Sequence, residues 1–204
     1  MPTKGDLARE RIIQAALKVF NQRGFVEATL QEVSRRSGVR QSGIYYYFKN
    51  KDELFKAVLE ASLHKGRQFI ADHLKGLTSP REMIVQYFDA TLEWTKVDAA
   101  GSQMLILLYY QGAVRAEASV LYASVLQIAR ARILEILAAG LEAGEFRAPL
   151  GLARTAELLH DALLGGVVNY LSTRASSQIA TRTAEDKWRE YLELVLGSKG
   201  AVHG

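Results

Sequence analysis

Apolar residues recur along this chain at helical rather than strand spacing. Ile12, Ile13, Ala16, Leu17 and Phe20 fall at i, i+1, i+4, i+5 and i+8, one stripe of a 3.6-residue period. Gly24 follows, where a left-handed residue commonly closes a helix. Thr29-Leu-Gln-Glu32 has the capping-box form, in which a hydroxyl and a carboxylate satisfy free N–H groups at a helix start. It opens a short second helix, from Leu30 to about Ser37, with Leu30 and Val33 inward. Gly38 supplies a tight turn, and a third short helix is predicted over about 40–48. Asn50-Lys-Asp-Glu53 is another capping box, opening a long fourth helix through Leu54, Phe55, Val58, Leu59 and Leu63 to about Leu74.

Thr78-Ser-Pro-Arg-Glu82 starts a further helix, with Pro80 near its first turn where proline is tolerated. Helical text continues to Glu145, with breaks expected at 98–102 and 112–117. Gly144 and Pro149 bracket the next loop, and two more helices are predicted over 152–174 and 183–196. The tail GSKGAVHG is expected to fray. Only three prolines occur and strand-like alternation is absent. The expectation is an all-α chain of about nine helices, in two domains, 1–52 and 53–204.

Composition narrows the class. Nearly half of the 204 residues are hydrophobic, enough for a sizeable core, and 24% are charged. The absence of cysteine excludes disulfides, thiol nucleophiles and Cys-type zinc sites. The N-terminus MPTKGDLARERIIQ has no apolar leader-like run, and no apolar run approaches the ~18 residues of a membrane span. The expectation is a soluble, cytoplasmic protein with no membrane partner. The net charge of +4 is unevenly spread: residues 1–50 hold nine Lys or Arg against four Asp or Glu, so the remainder sums to −1. A basic N-terminal quarter on a nearly neutral body suggests that one end meets a polyanion.

Two short helices joined by a Gly-containing turn, braced by an amphipathic helix before them, make a helix-turn-helix, whose second helix can lie in a DNA major groove. At 100° per residue from Ile44, Phe48 and Tyr47 fall near Ile44, while Tyr46 lies opposite and Tyr45 and Ser42 flank the outward side. Ile44 and Phe48 thus anchor the helix, Ser42, Tyr45 and Tyr46 face away, and Tyr47 sits at the boundary. Beside DNA a phenol can pack on a thymine methyl or ribose and donate its hydroxyl to a phosphate oxygen. Arg40 and Gln41 open the helix and can offer hydrogen bonds to base edges. Lys51, in the first turn of the fourth helix, adds positive charge beside free N–H groups, a ready phosphate site. The alternative is an aromatic patch against another subunit.

Residues 9–55 resemble the DNA-binding domain of the TetR family of transcriptional regulators. The matching text is RIIQAALKVFNQRGF, then ATLQEVSRRSGV, then GIYYYFKNKDELF, three motifs in order at the expected spacing over about a quarter of the chain. The resemblance implies a homodimeric repressor whose two heads bind a palindromic operator of double-stranded DNA. It carries DNA contact onto Thr29, Gln41, Tyr45, Tyr46, Tyr47 and Lys51. Two positions depart from the pattern. Arg40 stands where a Ser-like cap is usual, and Gly43 stands where Thr, Ser or Ala is common. Glycine costs a helix about 1 kcal/mol relative to alanine, so the reading helix is expected to be loose until DNA orders it.

The resemblance also implies a C-terminal helical domain that binds a small molecule and releases DNA. Met104 to Tyr110 (MLILLYY) reads as a helix apolar all round and therefore buried centrally. Pockets mix apolar walls with a few polar groups, which selects Tyr87, Trp94, Tyr109, Tyr110 and Tyr122, with Gln111, His160 and Asn169 as polar partners. Many of these are equally suited to plain core. Few charges interrupt the segments, favouring a hydrophobic effector, an acyl chain or an aromatic compound. The histidines His64, His73, His160 and His203 show no metal-ligand spacing, and no nucleophile–base pair or Gly-rich phosphate loop appears. No cofactor, metal or catalytic role is therefore expected.

The last two helices carry stripes suited to a subunit interface: Leu159, Leu163, Gly166, Val167 and Tyr170, then Trp188, Tyr191, Leu192 and Val195 at i, i+3, i+4 and i+7. Within the family such helices pair across a two-fold axis. The same stripes would also serve to cover the monomer's own core. The reading is an all-α, homodimeric, ligand-responsive repressor. Its rivals are a DNA-binding regulator without an effector and a helical enzyme or carrier that retains a DNA-binding head.

Overall fold

The protein is described by a computed structural model over residues 3–147, 150–174 and 184–197, with side chains in the last segment from Trp188 onward. Pro149 and the tail beyond Gly197 lie outside the described residues. Among those residues the elements are α1 (Lys4–Glu27), α2 (Leu30–Ser37), α3 (Gln41–Tyr47), α4 (Lys51–Leu74), α5 (Pro80–Val97), α6 (Ala99–Val114), α7 (Ala116–Glu142), α8 (Leu152–Thr173) and α9 (Ala184–Leu196). The expected all-α class holds.

The helix starts follow local chemistry. α1 begins before its apolar stripe because Thr3 and Asp6 form a capping box: the Asp6 N–H donates to Thr3 Oγ1 at 3.1 Å and the Thr3 N–H to the Asp6 carboxylate at 2.9 Å. Gly24, with φ 71° and ψ 178°, interrupts α1 and leaves a short turn to Glu27. At α2 the Thr29 hydroxyl accepts the Glu32 N–H at 3.2 Å, but the box stays half-made, because the Glu32 carboxylate pairs with Arg23 Nε at 3.2 Å. At α4 Asn50 Oδ1 accepts the Glu53 N–H, while the Glu53 carboxylate reaches back to the Lys49 N–H, each at 2.8 Å. Gly38, at φ 71°, closes α2 and donates its N–H to Ser34.

Packing divides the chain into two compact units. The first comprises Met1–Arg67 with Asp98–Ser119, the second Gln68–Val97 with Val120–Gly204. α4 runs unbroken from Lys51 to Leu74, and α6 packs on α1. In the first unit α2 packs on α1 and α3, over a core that includes Ile12, Ala16, Phe20, Val33, Ile44, Phe48, Leu54 and Val58. In the second, α5 meets α8 and α9, which also meet each other. Its core joins Ile84, Phe88, Leu92, Ile133, Leu137, Leu159, Leu163, Val167, Trp188 and Leu192.

One expectation about α6 fails. Met104 and Leu108 are buried, but Leu105, Ile106 and Leu107 are only half-buried and Tyr110 is exposed. The helix is apolar all round without being enclosed all round. Hydrophobicity without a period identifies burial poorly, because it does not say which side a neighbour takes.

Candidate DNA-reading surface

α3 has seven residues, too few for a helix to persist in water without tertiary support. Its support comes from one face. Ile44 is 0% and Phe48 2% exposed, and the Phe48 N–H closes the last turn on the Ile44 carbonyl at 2.9 Å. The Arg9 guanidinium stands 5.3 Å over the Phe48 ring, a cation–π contact tying α1 to the end of α3. Arg40 stands at the N-cap with no side-chain cap bond, since a guanidinium has only donors and cannot accept the free N–H groups there.

Gly43 has a steric reason beyond helix propensity. A β-carbon there would lie 2.9 Å from Val39 Cγ1, so glycine lets the turn before α3 close onto the helix. The expected looseness is thus countered by a close approach that alanine would obstruct.

The opposite face carries Ser42, Tyr45 and Tyr46. All three are exposed, Tyr45 at 51% and Tyr46 at 83%, and Arg40 and Gln41 are exposed beside them. Rings so exposed gain little from the protein itself. Tyr47 is half-buried: its ring meets Tyr46 edge-on at 5.0 Å, and its hydroxyl lies 3.5 Å from where a Gly5 β-carbon would stand. It therefore leans toward the start of α1.

Lys51 makes contacts within the protein that its sequence position did not suggest. Its ammonium donates to the carbonyls of Val26 and Ala28, at 2.9 and 3.0 Å, and stands 4.7 Å over the Phe25 ring. Burial lowers its pKa, partly offset by Asp52. Two of its three N–H donors are used within the protein, on the link between α1 and α2, and the third is left over. Thr29, in that link, is exposed; its oxygen caps α2, which leaves the hydroxyl hydrogen to donate. Arg35 and Arg36, in the last turn of α2, and Lys49, after α3, are exposed cations that the residue-by-residue reading did not single out. Arg36 donates to Gln22 at 2.9 Å. The charge count over residues 1–50 was the signal that could have found them.

The residues expected to line a ligand site do not share one unit. Tyr109, Tyr110 and Gln111 belong to the first, and Tyr87, Trp94, Tyr122, His160 and Asn169 to the second. Gln111 is buried, with no hydrogen-bond partner for its Oε1 among the described residues, whereas Tyr110 is exposed. In the second unit Tyr87 is half-buried against the core, and burial pushes its phenol pKa up. Trp94 packs at 5.3 Å from Phe69, and Tyr122 is half-buried. His160 is buried with Nδ1 3.4 Å from the Asp161 carboxylate. Burial lowers its pKa, outweighing the Asp161 hydrogen bond that raises it. Asn169 is exposed.

The expected interface stripes divide between core and surface in the single chain. Leu159, Leu163, Val167, Trp188 and Leu192 are core residues of the single chain. Gly166 explains the fit: the Trp188 indole occupies the place of its absent β-carbon, so the close approach is made within the chain. Tyr170, Tyr191 and Val195 stay half-buried, while Gly165, Val168 and Leu194 are exposed, Leu194 at 82%.

Comparison with known proteins bears on the first unit and on the fold. Residues 12–58 match the family model of the bacterial regulatory proteins of the tetR family. The probable HTH-type transcriptional regulator ArpR of Pseudomonas putida is 36% identical over 87 residues, covering 40% of this chain and 41% of that protein. The HTH-type transcriptional regulator TtgR, also of Pseudomonas putida, is 34% identical over 87 residues, with the same coverage. The chain thus spans about two fifths of the length of these curated relatives. Among solved structures, a putative TetR-family transcriptional regulator from Rhodococcus sp. superposes with TM-score 0.78 at 20% identity, over 93% of this chain and 98% of that one. The fatty acid degradation regulator FadR from Bacillus halodurans does so with TM-score 0.79 at 19% identity, over 97% of each chain. These likenesses show a shared fold.

Proposed function

We propose that the chain is a transcriptional regulator of the TetR kind, a ligand-responsive repressor that binds a palindromic operator as a homodimer; the match of residues 12–58 to the tetR family model and the likeness of fold support this reading. The observation that carries this reading is the split of α3: Ile44 and Phe48 are committed to the core while Tyr45 and Tyr46 are exposed. An exposed pair of tyrosines beside Arg40, Gln41 and Ser42 matches what a major groove offers, apolar contact with thymine methyls and hydrogen bonds to base edges and phosphates. Thr29 and the cations Arg35, Arg36 and Lys49 supply backbone contacts. Tyr47 and Lys51 position the reading helix.

The dimer reading keeps α8 and α9 but moves the contact to their outward residues, Gly165, Val168 and Leu194. The effector reading rests on Tyr87, Trp94, Tyr122 and His160, aromatic walls with desolvated polar groups, suited to a small acyl or aromatic compound. Release follows from population shift: an effector that binds better to the dimer with its heads spread draws the protein away from DNA. α4, unbroken through Arg67, is the element that can transmit such a change. Regulation of transcription, rather than catalysis, is the activity proposed.

The test is a duplex selected by the full chain from a randomised library, titrated at several salt concentrations. The reading expects a two-fold symmetric site, two chains per site, and affinity falling steeply with salt as condensed counterions are released. Binding that is absent or indifferent to salt would contradict it.

A further inference from the structure

A cation that no sequence pattern selected sits at the end of α6. Arg115 caps that helix, donating its N–H to Gln111 at 2.9 Å. Its guanidinium pairs with Asp52 at 2.9 Å and stands 4.6 Å over the Phe25 ring. The Lys51 ammonium stands over the same ring and holds the Val26 and Ala28 carbonyls. At its other end, α6 is tied to α1 by Asn21, which donates Nδ2–H to the Ala100 carbonyl at 2.8 Å. All of these residues lie in the first unit.

We propose that Arg115 is a positioning residue for DNA reading, and that α6 acts as the outer brace of the reading head. Arg115 pins the first turn of α4 through Asp52, and the neighbouring Lys51 is thereby kept on the two carbonyls just before Thr29. Holding those carbonyls fixes the step from α1 into α2, and α2 packs on the reading helix. Phe25 completes the assembly. Its ring is stacked with Phe20 at 6.0 Å and edge-on to Phe55 at 5.2 Å, both core residues, so cations placed over it are registered against a rigid surface. Two independent attachments of one guanidinium, a carboxylate and a π-face, fix its orientation where a single exposed ion pair would not.

The inference rests on the DNA-reading function proposed above. It is tested in the full chain with the duplex that wild type selects. The variants are Arg115→Gln, Asp52→Asn and the double reversal Arg115→Asp with Asp52→Arg. Arg115→Gln is expected to bind about tenfold more weakly, equivalent to ~1.4 kcal/mol, with its melting temperature nearly unchanged. Asp52→Asn is expected to show a smaller loss in the same direction. The double reversal is expected to recover part of the loss, since it restores the ion pair but not the contact with Phe25. Amide hydrogen exchange in the α1–α2 link is expected to quicken in Arg115→Gln. Wild-type affinity in both single variants, or a loss that follows melting temperature without recovery in the double reversal, would overturn the proposal. If wild type selects no duplex, the regulatory reading fails instead. The exchange measurement then decides the brace: quickened exchange supports it and unchanged exchange overturns it.

Discussion

The two units hold their helices by different means. In the first, α2 and α3 have eight and seven residues, too short to persist alone. Each buries one face, through Val33 on α2 and Ile44 on α3, and polar fixtures hold the segments around them: Thr29 on Glu32, Lys51 on two carbonyls and Arg9 over Phe48. In the second, α5, α8 and α9 meet through one continuous apolar cluster, with Trp188 seated on Gly166 and edge-on to Phe88 at 5.2 Å. The difference has a functional meaning. A head whose short helices are anchored on one side leaves a whole helix face free for an outside partner, whereas a body anchored through one central cluster spends its large side chains internally.

The contrast can be broken by deleting a comparable contact from each unit. The largest effect is expected from Phe88→Ala, which empties a fully buried site in the second core and should cost about 3–5 kcal/mol of stability, read as a lower denaturation midpoint. A loss below about 1 kcal/mol would mean that the body is not centred on that cluster. A smaller effect is expected from Lys51→Ala, about 1.5–3 kcal/mol for the loss of hydrogen bonds made by a charged, half-buried group. It should also weaken DNA binding, but without changing the salt dependence. A phosphate-contacting lysine would instead reduce the log–log slope by about one, so the slope separates brace from contact.

The direction of each side chain on α3 was legible in the sequence because one short period and two apolar anchors, Ile44 and Phe48, leave a single orientation. The cap at Thr29 was legible in part: the hydroxyl was placed correctly, but nothing in the local text shows that Arg23 takes the Glu32 carboxylate. The role of Lys51 was not legible, since its partners at Val26 and Ala28 come near only when α1 kinks at Gly24 and turns. Nor was the use of the stripes on α8 and α9. An apolar stripe announces that something covers it, and Leu163 or Leu192 reads the same whether the cover is α5 of the same chain or a second copy. The capping box at Thr3 and Asp6 was open to reading, but it precedes the first apolar stripe by six residues and so escaped an argument built on apolar period.

The smallest effect concerns pH and belongs to the body alone. Burial keeps the His160 imidazole below its ordinary pKa. The unfolded chain takes up that proton near pH 6.5, while the folded chain resists until a lower pH. Between the two the unfolded state binds more protons, so stability is full above about 6.5 and declines as pH falls toward the folded value. A His160→Gln variant should lose that part of the decline, with DNA binding at neutral pH little altered. An unchanged stability–pH curve in the variant would remove His160 from the account.

The most direct test of the central claim, that the exposed side of α3 is a DNA-reading face, is the operator affinity of Tyr46→Ala in the full chain, measured beside its melting temperature. The side chain is 83% exposed, so stability should move by less than about 0.5 kcal/mol. Affinity should fall by an amount equivalent to ~1–3 kcal/mol, the range of a good base contact. Unchanged affinity at unchanged stability would contradict the reading face outright.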